Sequence, residues 1–173
     1  EKAIINTLEI WPNVKNLQKR WCNSISLLKT IKVSPKNQHF IIAEKKFLLG
    51  KDETDNFNVL YYAIDDTELI IPRQVSLIRE GSFDNHVKLQ SVKFSPNSKL
   101  KCIEDEVFHG SSIMQLSLPS SIEKICDSAF FHVLKLQKIE ISPENKYFKL
   151  IDGDYIVKES KTGSRIFDVI IFV

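Results

Sequence analysis

Apolar residues along this chain fall into short alternating triplets that return at nearly fixed intervals. The triplet apolar-x-apolar occurs at Leu8-Glu9-Ile10, Ile31-Lys32-Val33, Leu69-Ile70-Ile71, Val92-Lys93-Phe94, Leu116-Ser117-Leu118 and Ile139-Glu140-Ile141. Successive first residues lie 23, 38, 23, 24 and 23 positions apart. Alternation with period two predicts a short strand with one buried face. Recurrence on this scale predicts a stack of small units rather than one globular core.

Each triplet carries a tail in register. Ile71 is followed by Pro72, Val75, Ile78, Phe83 and Leu89; Leu118 is followed by Pro119, Ile122, Ile125, Phe130 and Leu136, every match 47 positions on. The unit from Val92 gives Leu100, Ile103, Phe108 and Ile113. The first unit gives Val14, Leu17, Cys22 and Leu28, with Cys22 in the slot that elsewhere holds phenylalanine. A reduced cysteine is a small buried hydrophobe, so the slot stays apolar but underfilled.

A longer duplication overlays the first, at a constant offset of 108 residues. "IKVSPKNQHF" (31–40) matches "IEISPENKYF" (139–148), and "VLYYAI" (59–64) matches "FDVIIF" (167–172). The 38-residue step is therefore a repeat with an extension. Two apolar runs around a polar turn predict a β-hairpin in each extension, at 44–64 and 152–173.

Strands one turn apart in a stack pair in parallel. The segments "IREGSF", "IEDEVF" and "ICDSAF" are too short for an ordinary helix and predict one turn of α or 3₁₀ helix on the opposite side. Pro72, Pro119 and the pairs Ser34-Pro35, Ser95-Pro96 and Ser142-Pro143 close the strands, because proline cannot donate to the next ladder bond. A single unit cannot bury its own apolar side, whereas stacked neighbours can.

"LSLPSSIEKICDSAF" and "LIIPRQVSLIREGSF" resemble the repeat of the BspA-like leucine-rich repeat family, and "NKYFKLIDGDYIV" resembles that family's interrupting element. The resemblance implies an α/β leucine-rich repeat solenoid across 1–173, with units starting near 8, 31, 69, 92, 116 and 139. A parallel sheet forms one face, short α/3₁₀ turns the other, and the hairpins are insertions. It also implies a cell-surface adhesin role, with host extracellular-matrix or cell-surface proteins as ligands. Trp21-Cys22 departs from the family's Ala-Phe pair.

Composition narrows the function. A net charge of +2 and the absence of a basic stripe give no footprint for nucleic acid. The longest apolar runs are too short to span a bilayer, and "VIIFV" (169–173) reads as a strand by its place in the match to "VLYYAI". The chain starts without methionine and ends within a repeat, so a fragment of a longer array is expected, with possible end-to-end self-association through open strand edges. The three cysteines fall at different unit positions without CxxC spacing and read as free thiols.

Acidic clusters at Asp52-Glu53-Asp55 and Asp65-Asp66-Glu68 match no calcium loop and read as solvated turns, as does "IDGD" (151–154). His39, His86, His109 and His132 read as isolated loop histidines. No G-x-S-x-G elbow or glycine-rich phosphate loop is present. The pattern gives no catalytic residues, no metal and no cofactor.

The sheet face remains as the candidate site. Stacking puts Glu9, Lys32, Ile70, Lys93, Ser117 and Glu140 in one solvent-facing row, and Thr7, Thr30, Glu68, Ser91, Gln115 and Lys138 in a second. An extended face of this kind suits protein binding. An intracellular scaffold and a structural spacer are the competing readings.

Overall fold

The computed structural model describes residues 5–23, 28–151, 155–159 and 167–172. The chain winds into a β-solenoid of about six turns. Strands β1 (Thr7–Ile10), β2 (Thr30–Val33), β6 (Glu68–Ile71), β8 (Ser91–Phe94), β10 (Gln115–Leu118) and β12 (Lys138–Ile141) carry the six triplets. Between them run β3 (Phe40–Ala43), β4 (Phe47–Lys51), β5 (Phe57–Ala63), β7 (Leu77–Ile78), β9 (Cys102–Ile103) and β11 (Lys124–Ile125). Strands β13 (Phe148–Ile151), β14 (Tyr155–Glu159) and β15 (Phe167–Phe172) follow.

The triplet strands pair in parallel, residue for residue: Leu69 opposite Val92, Leu116 opposite Ile139, Leu8 opposite Ile31. Their inner positions stack into the core, with Leu69, Ile71, Val92, Leu116 and Leu118 almost fully buried. The Ser-Pro pairs mark where each ladder stops. Ser34, Ser95 and Ser142 donate their N–H groups back to Ile10, Ile71 and Leu118, and the proline after each has no N–H to continue.

The opposite side corrects the expectation of α or 3₁₀ turns. Among the described residues there is no helix. Ile78, Ile103 and Ile125 instead belong to a second, narrow parallel ladder, β7–β9–β11. The residues beyond it form turns in which backbone donors alternate between local and neighbouring partners. Ser82, Asp84 and His86 donate to Arg79, Gly81 and Phe83, whereas Phe83 and Asn85 donate to Val107 and His109 of the next unit. A helix would need every successive N–H turned back on its own segment. Here every second one is drawn to the neighbouring unit. Left-handed backbone at Gly81 and Glu106, and again at Asn85, Gly110 and His132, recurs at equivalent places and prevents helical continuation.

Phe83, Phe108 and Phe130 occupy the shared slot and stack, with ring centroids 5.1 and 6.0 Å apart. Cys22 holds the corresponding place in the first unit and is buried, its Sγ 3.7 Å from the Gly81 carbonyl. The first turn therefore lies directly against the third. The second unit has no such turn, because its extension takes that part of the chain.

The extensions are more than hairpins. The first begins one element earlier than expected and forms a three-stranded antiparallel meander, β3–β4–β5, whose last strand joins β7 in parallel. The six-stranded sheet β11–β9–β7–β5–β4–β3 results. The triplet sheet, expected to be continuous, is instead split into β1–β2 and β6–β8–β10–β12.

The meander is a wall between two cores. Phe47, Leu49, Leu60 and Ala63 pack with the core under β6–β12. Leu48, Tyr62 and Phe40 pack with Ile10, Cys22, Leu28 and Ile31. Strand β4 is consequently buried on both faces. In the second extension, β13–β14–β15 is likewise antiparallel, and Phe148 and Ile156 close the other end of the larger core. The turn expected at 151–154 and the remainder of 152–173 at 160–166 and 173 lie, apart from Ile151, outside the described residues.

One buried side chain makes each wall possible. Asn37 donates through Nδ2 to the carbonyls of Trp11 and Val14, and its Oδ1 accepts from the N–H groups of His39 and Phe40. Asn145 repeats this 108 residues later, donating toward Pro119, Ser120 and Ile122 and accepting from Tyr147 and Phe148. Each asparagine fastens the start of an extension to the turn of the preceding unit.

Replacing Asn145 with alanine strands these buried partners, so Asn145→Ala is expected to lower stability by about 2–4 kcal/mol in urea unfolding. Asn145→Asp, which keeps the acceptor but loses the donors, should not restore it. At Gly50 an added Cβ would lie 2.4 Å from Tyr61 Cε2. That ring is held edge-on to Phe40 and hydrogen-bonded by Arg79. Gly50→Ala should therefore cost about 1–3 kcal/mol through overpacking.

Candidate functional site

The twelve sheet-face residues lie where the triplet register puts them, on the six parallel strands, but in two groups. Thr7 and Thr30 are cross-strand partners, as are Glu9 and Lys32. Glu68, Ser91, Gln115 and Lys138 follow one another across the larger sheet. Ile70 faces Lys93, and Ser117 faces Glu140. Ser91 and Ser117 are half-buried and the other ten are exposed. No single row of six exists, because the wall interrupts it.

The larger group carries its own electrostatics. Lys93 pairs with Glu68 at 2.6 Å. Glu140 accepts from Lys138 at 2.7 Å and from the Ser117 hydroxyl at 3.0 Å. The Lys138 ammonium, followed by the Ser117 hydroxyl, draws the Glu140 carboxyl below its usual range. Ile70 stands among these groups at 49% exposure, an apolar side chain on a charged face.

Two grooves open beside the triplet strands. One, about 630 Å³, lies along β2 and β3 and is lined by Lys32, Val33, Pro35, Phe40 and Ile42 among others. The other, about 580 Å³, lies along β12 and β13 with Glu140, Ile141, Pro143, Phe148 and Leu150 at the same places. Sequence reasoning missed both, since they arise beside the outermost triplet strands β2 and β12, which the repeat pattern does not mark.

A third constellation sits on the turns. Asp84, with no exposed side-chain surface, accepts from Arg20 Nε at 3.1 Å, and His109 Nδ1 lies 3.1 Å from its other oxygen. Arg20 also reaches Glu106. These residues tie the first turn to the third and fourth. His86, expected in a polar loop, is instead buried, with Nε2 2.7 Å from the Ala63 carbonyl and Nδ1 3.1 Å from the Asp84 carbonyl. Burial pushes its imidazole below the ordinary range. His109 is half-buried against Phe131, and His132 is exposed.

The acidic clusters are occupied by the fold. Asp52 accepts from the N–H and hydroxyl of Thr54, from the Asn56 N–H and from the Asn58 amide. Asp65 accepts from the Lys88 N–H, Asp66 pairs with Lys46, and Glu68 with Lys93. Among the described residues no group of three or more metal-ligating side chains converges. Cys22, Cys102 and Cys126 are free thiols, and burial raises Cys22 to about 12 and Cys102 to about 11. Among the described residues no helix is long and apolar enough to cross a membrane.

Comparison with known proteins adds the family. Residues 56–151 match the family model described as BspA type leucine rich repeat region, present in six copies. Among solved structures, the pneumococcal vaccine antigen PcpA is similar at a TM-score of 0.55 and 22% identity, over 89% of this chain and 34% of that one. A leucine-rich cell surface protein from Faecalibacterium prausnitzii A2-165 is similar at a TM-score of 0.45 and 19% identity, over 82% and 49%. A leucine-rich repeat protein from Eubacterium ventriosum is similar at 0.45 and 18%, over 77% and 37%. The chain thus spans about a third of the length of the pneumococcal antigen. No curated protein matches it.

The Asp52 loop generates a pH prediction. Hydrogen bonds, that from Thr54 foremost, lower the Asp52 carboxyl from 3.8 to about 2. A depressed carboxylate stabilises the fold fully above its unfolded value and loses that contribution as pH falls through its folded value. An NMR titration should therefore show Asp52 at a midpoint near 2, with the 52–56 turn intact at pH 4 and loosening only below about 3.

Proposed function

Because the chain belongs to the BspA-type leucine-rich repeat family, we propose that it is a non-enzymatic protein-binding module of a cell-surface protein, acting as an adhesin toward host or matrix proteins. The observation that carries this reading is the triplet sheet. Its inner residues are locked into a close-packed core, and ten of its twelve outer residues are exposed in register. Side chains on such strands keep their spacing without a partner, so little ordering entropy is lost on binding.

The face suits a polar protein surface rather than a small molecule. The exposed positions are mostly charged or polar, namely Glu9, Lys32, Glu68, Lys93, Gln115, Lys138 and Glu140 with Thr7 and Thr30, while Ser91 and Ser117 are half-buried among them and Ile70 offers an apolar contact. Contacts of this kind are individually modest and gain strength by repetition along an array. The outermost triplet strands β2 and β12 would also favour association of copies at high concentration through their strand edges.

The test is binding of the folded chain to immobilised extracellular-matrix proteins and to host cells, beside a Lys32→Glu/Lys93→Glu variant checked by circular dichroism. Saturable binding that the variant weakens by about tenfold or more supports the sheet face as the site. Binding that survives unchanged moves the site off the two lysines. No binding by the wild type favours the scaffold or spacer.

A further inference from the structure

We propose that β2 and β12 each accept an extended strand of a partner protein along their open edges, in two grooves that the 108-residue duplication builds twice. The inference rests on the protein-binding reading above and names the part of the surface and the kind of ligand.

The edges are open for a reason visible in the hydrogen bonds. At the two ends of β2, the Thr30 N–H donates to Asn6 and the Ser34 N–H to Ile10, both toward β1. Backbone groups alternate in direction along a strand, so those of Ile31 and Val33 face the other way. In β12 the Lys138 and Ser142 N–H groups point to Met114 and Leu118, which leaves Ile139 and Ile141 facing outward. Among the described residues β2 pairs with β1 alone and β12 with β10 alone. The stack does not close the first gap, since β6, the next triplet strand, pairs only with β8.

Each gap is a groove with an outermost strand on both sides. After the Ser-Pro pair the chain turns, fixed by Asn37 or Asn145, into β3 or β13, and both are outer strands of their own sheets. Nine lining positions of one groove correspond to nine of the other at an offset of 108, so the groove belongs to the repeated unit rather than to an accident of one loop. Phe40 and Phe148 lie at the base, with half-buried Val33 and Ile141 beside them.

These features select the occupant. Unpaired N–H and C=O groups in a row are satisfied by another extended backbone, whereas a helix has turned its own groups inward. A four-residue edge spans about 13 Å, and the apolar base receives every second side chain of a strand lying along it. Charge separates the two sites. Lys32 offers an ammonium at the rim of the first groove, beside Glu9 on the next strand. Glu140 holds that place in the second, already bridged by Lys138 and Ser117. The first groove thus favours a strand with an acidic residue more than the second does.

The experiment uses decapeptides selected from a randomised display library against the folded chain, followed by amide exchange on the complex. The expected result is protection of Ile31 and Val33, or of Ile139 and Ile141, which exchange quickly in the free chain. N-methylation of alternate peptide residues on the paired side should weaken binding by at least about tenfold, and methylation of the intervening residues should not. Lys32→Glu should shift the first groove's preference from acidic toward basic peptides. Protection confined to β8 and β10, or equal sensitivity to both methylation patterns, overturns the proposal. Failure to select any peptide, while the chain still binds matrix proteins, overturns it and leaves the broader reading standing; failure of both removes both.

Discussion

A unit of 23 residues in this chain cannot satisfy its own backbone. Its strands are four residues or two, and most of their N–H and C=O groups find partners only in the units before and after. Apolar burial follows from this, because Leu69, Val92, Leu116 and Ile139 meet only when the ladders bring the units to strand spacing. The same demand explains the turns. An N–H group that would have closed a helical bond on its own segment donates instead to the neighbour, and the helical turn is replaced by a stacked one.

The places where that demand is not met by a simple neighbour are the most informative. At the second unit the chain leaves the stack, crosses the core as a three-stranded wall, and rejoins by pairing β5 with β7. The turns close over this departure: Cys22 reaches Gly81, and Arg20 reaches Asp84 and Glu106. The triplet sheet does not close over it. Continuity on one side and a break on the other turn a uniform solenoid into one with distinct surfaces.

The regular part of this arrangement was legible in the sequence because period two and the 23-residue return act on the same residues. The six triplets, the phenylalanine slot with Cys22 as its substitute, and the Ser-Pro strand ends all stand where the pattern puts them. The form of the turns is not legible, because the apolar spacing from Ile78 to Phe83 is equally compatible with a helical turn and with a short strand and a turn, and only the hydrogen-bond partners of the next unit decide. The split of the sheet was hidden for a related reason. The meander's strands were readable as apolar runs, but that Phe47, Leu48 and Leu49 bury both faces of β4 depends on what lies on each side. The 108-residue match did contain the asparagines, and a polar residue held at equal places before Phe40 and Phe148 was the available signal of a fastening point.

The wall formed by β3, β4 and β5 has a consequence for how such a molecule can lengthen. A solenoid with one uninterrupted core must match every new turn to the side chains of the last. Here the smaller core ends at Leu48 and Tyr62, and the larger begins at Leu49 and Leu60 on the reverse of the same strands. Each block is finished by a surface that belongs to it and offers a fresh apolar floor to whatever is laid on top. Side chains inside one block are therefore screened from those inside the other, and a copied compartment has to preserve only the wall and the turn contacts of Cys22 and Arg20, much as storeys are added to a building whose every ceiling is already a floor.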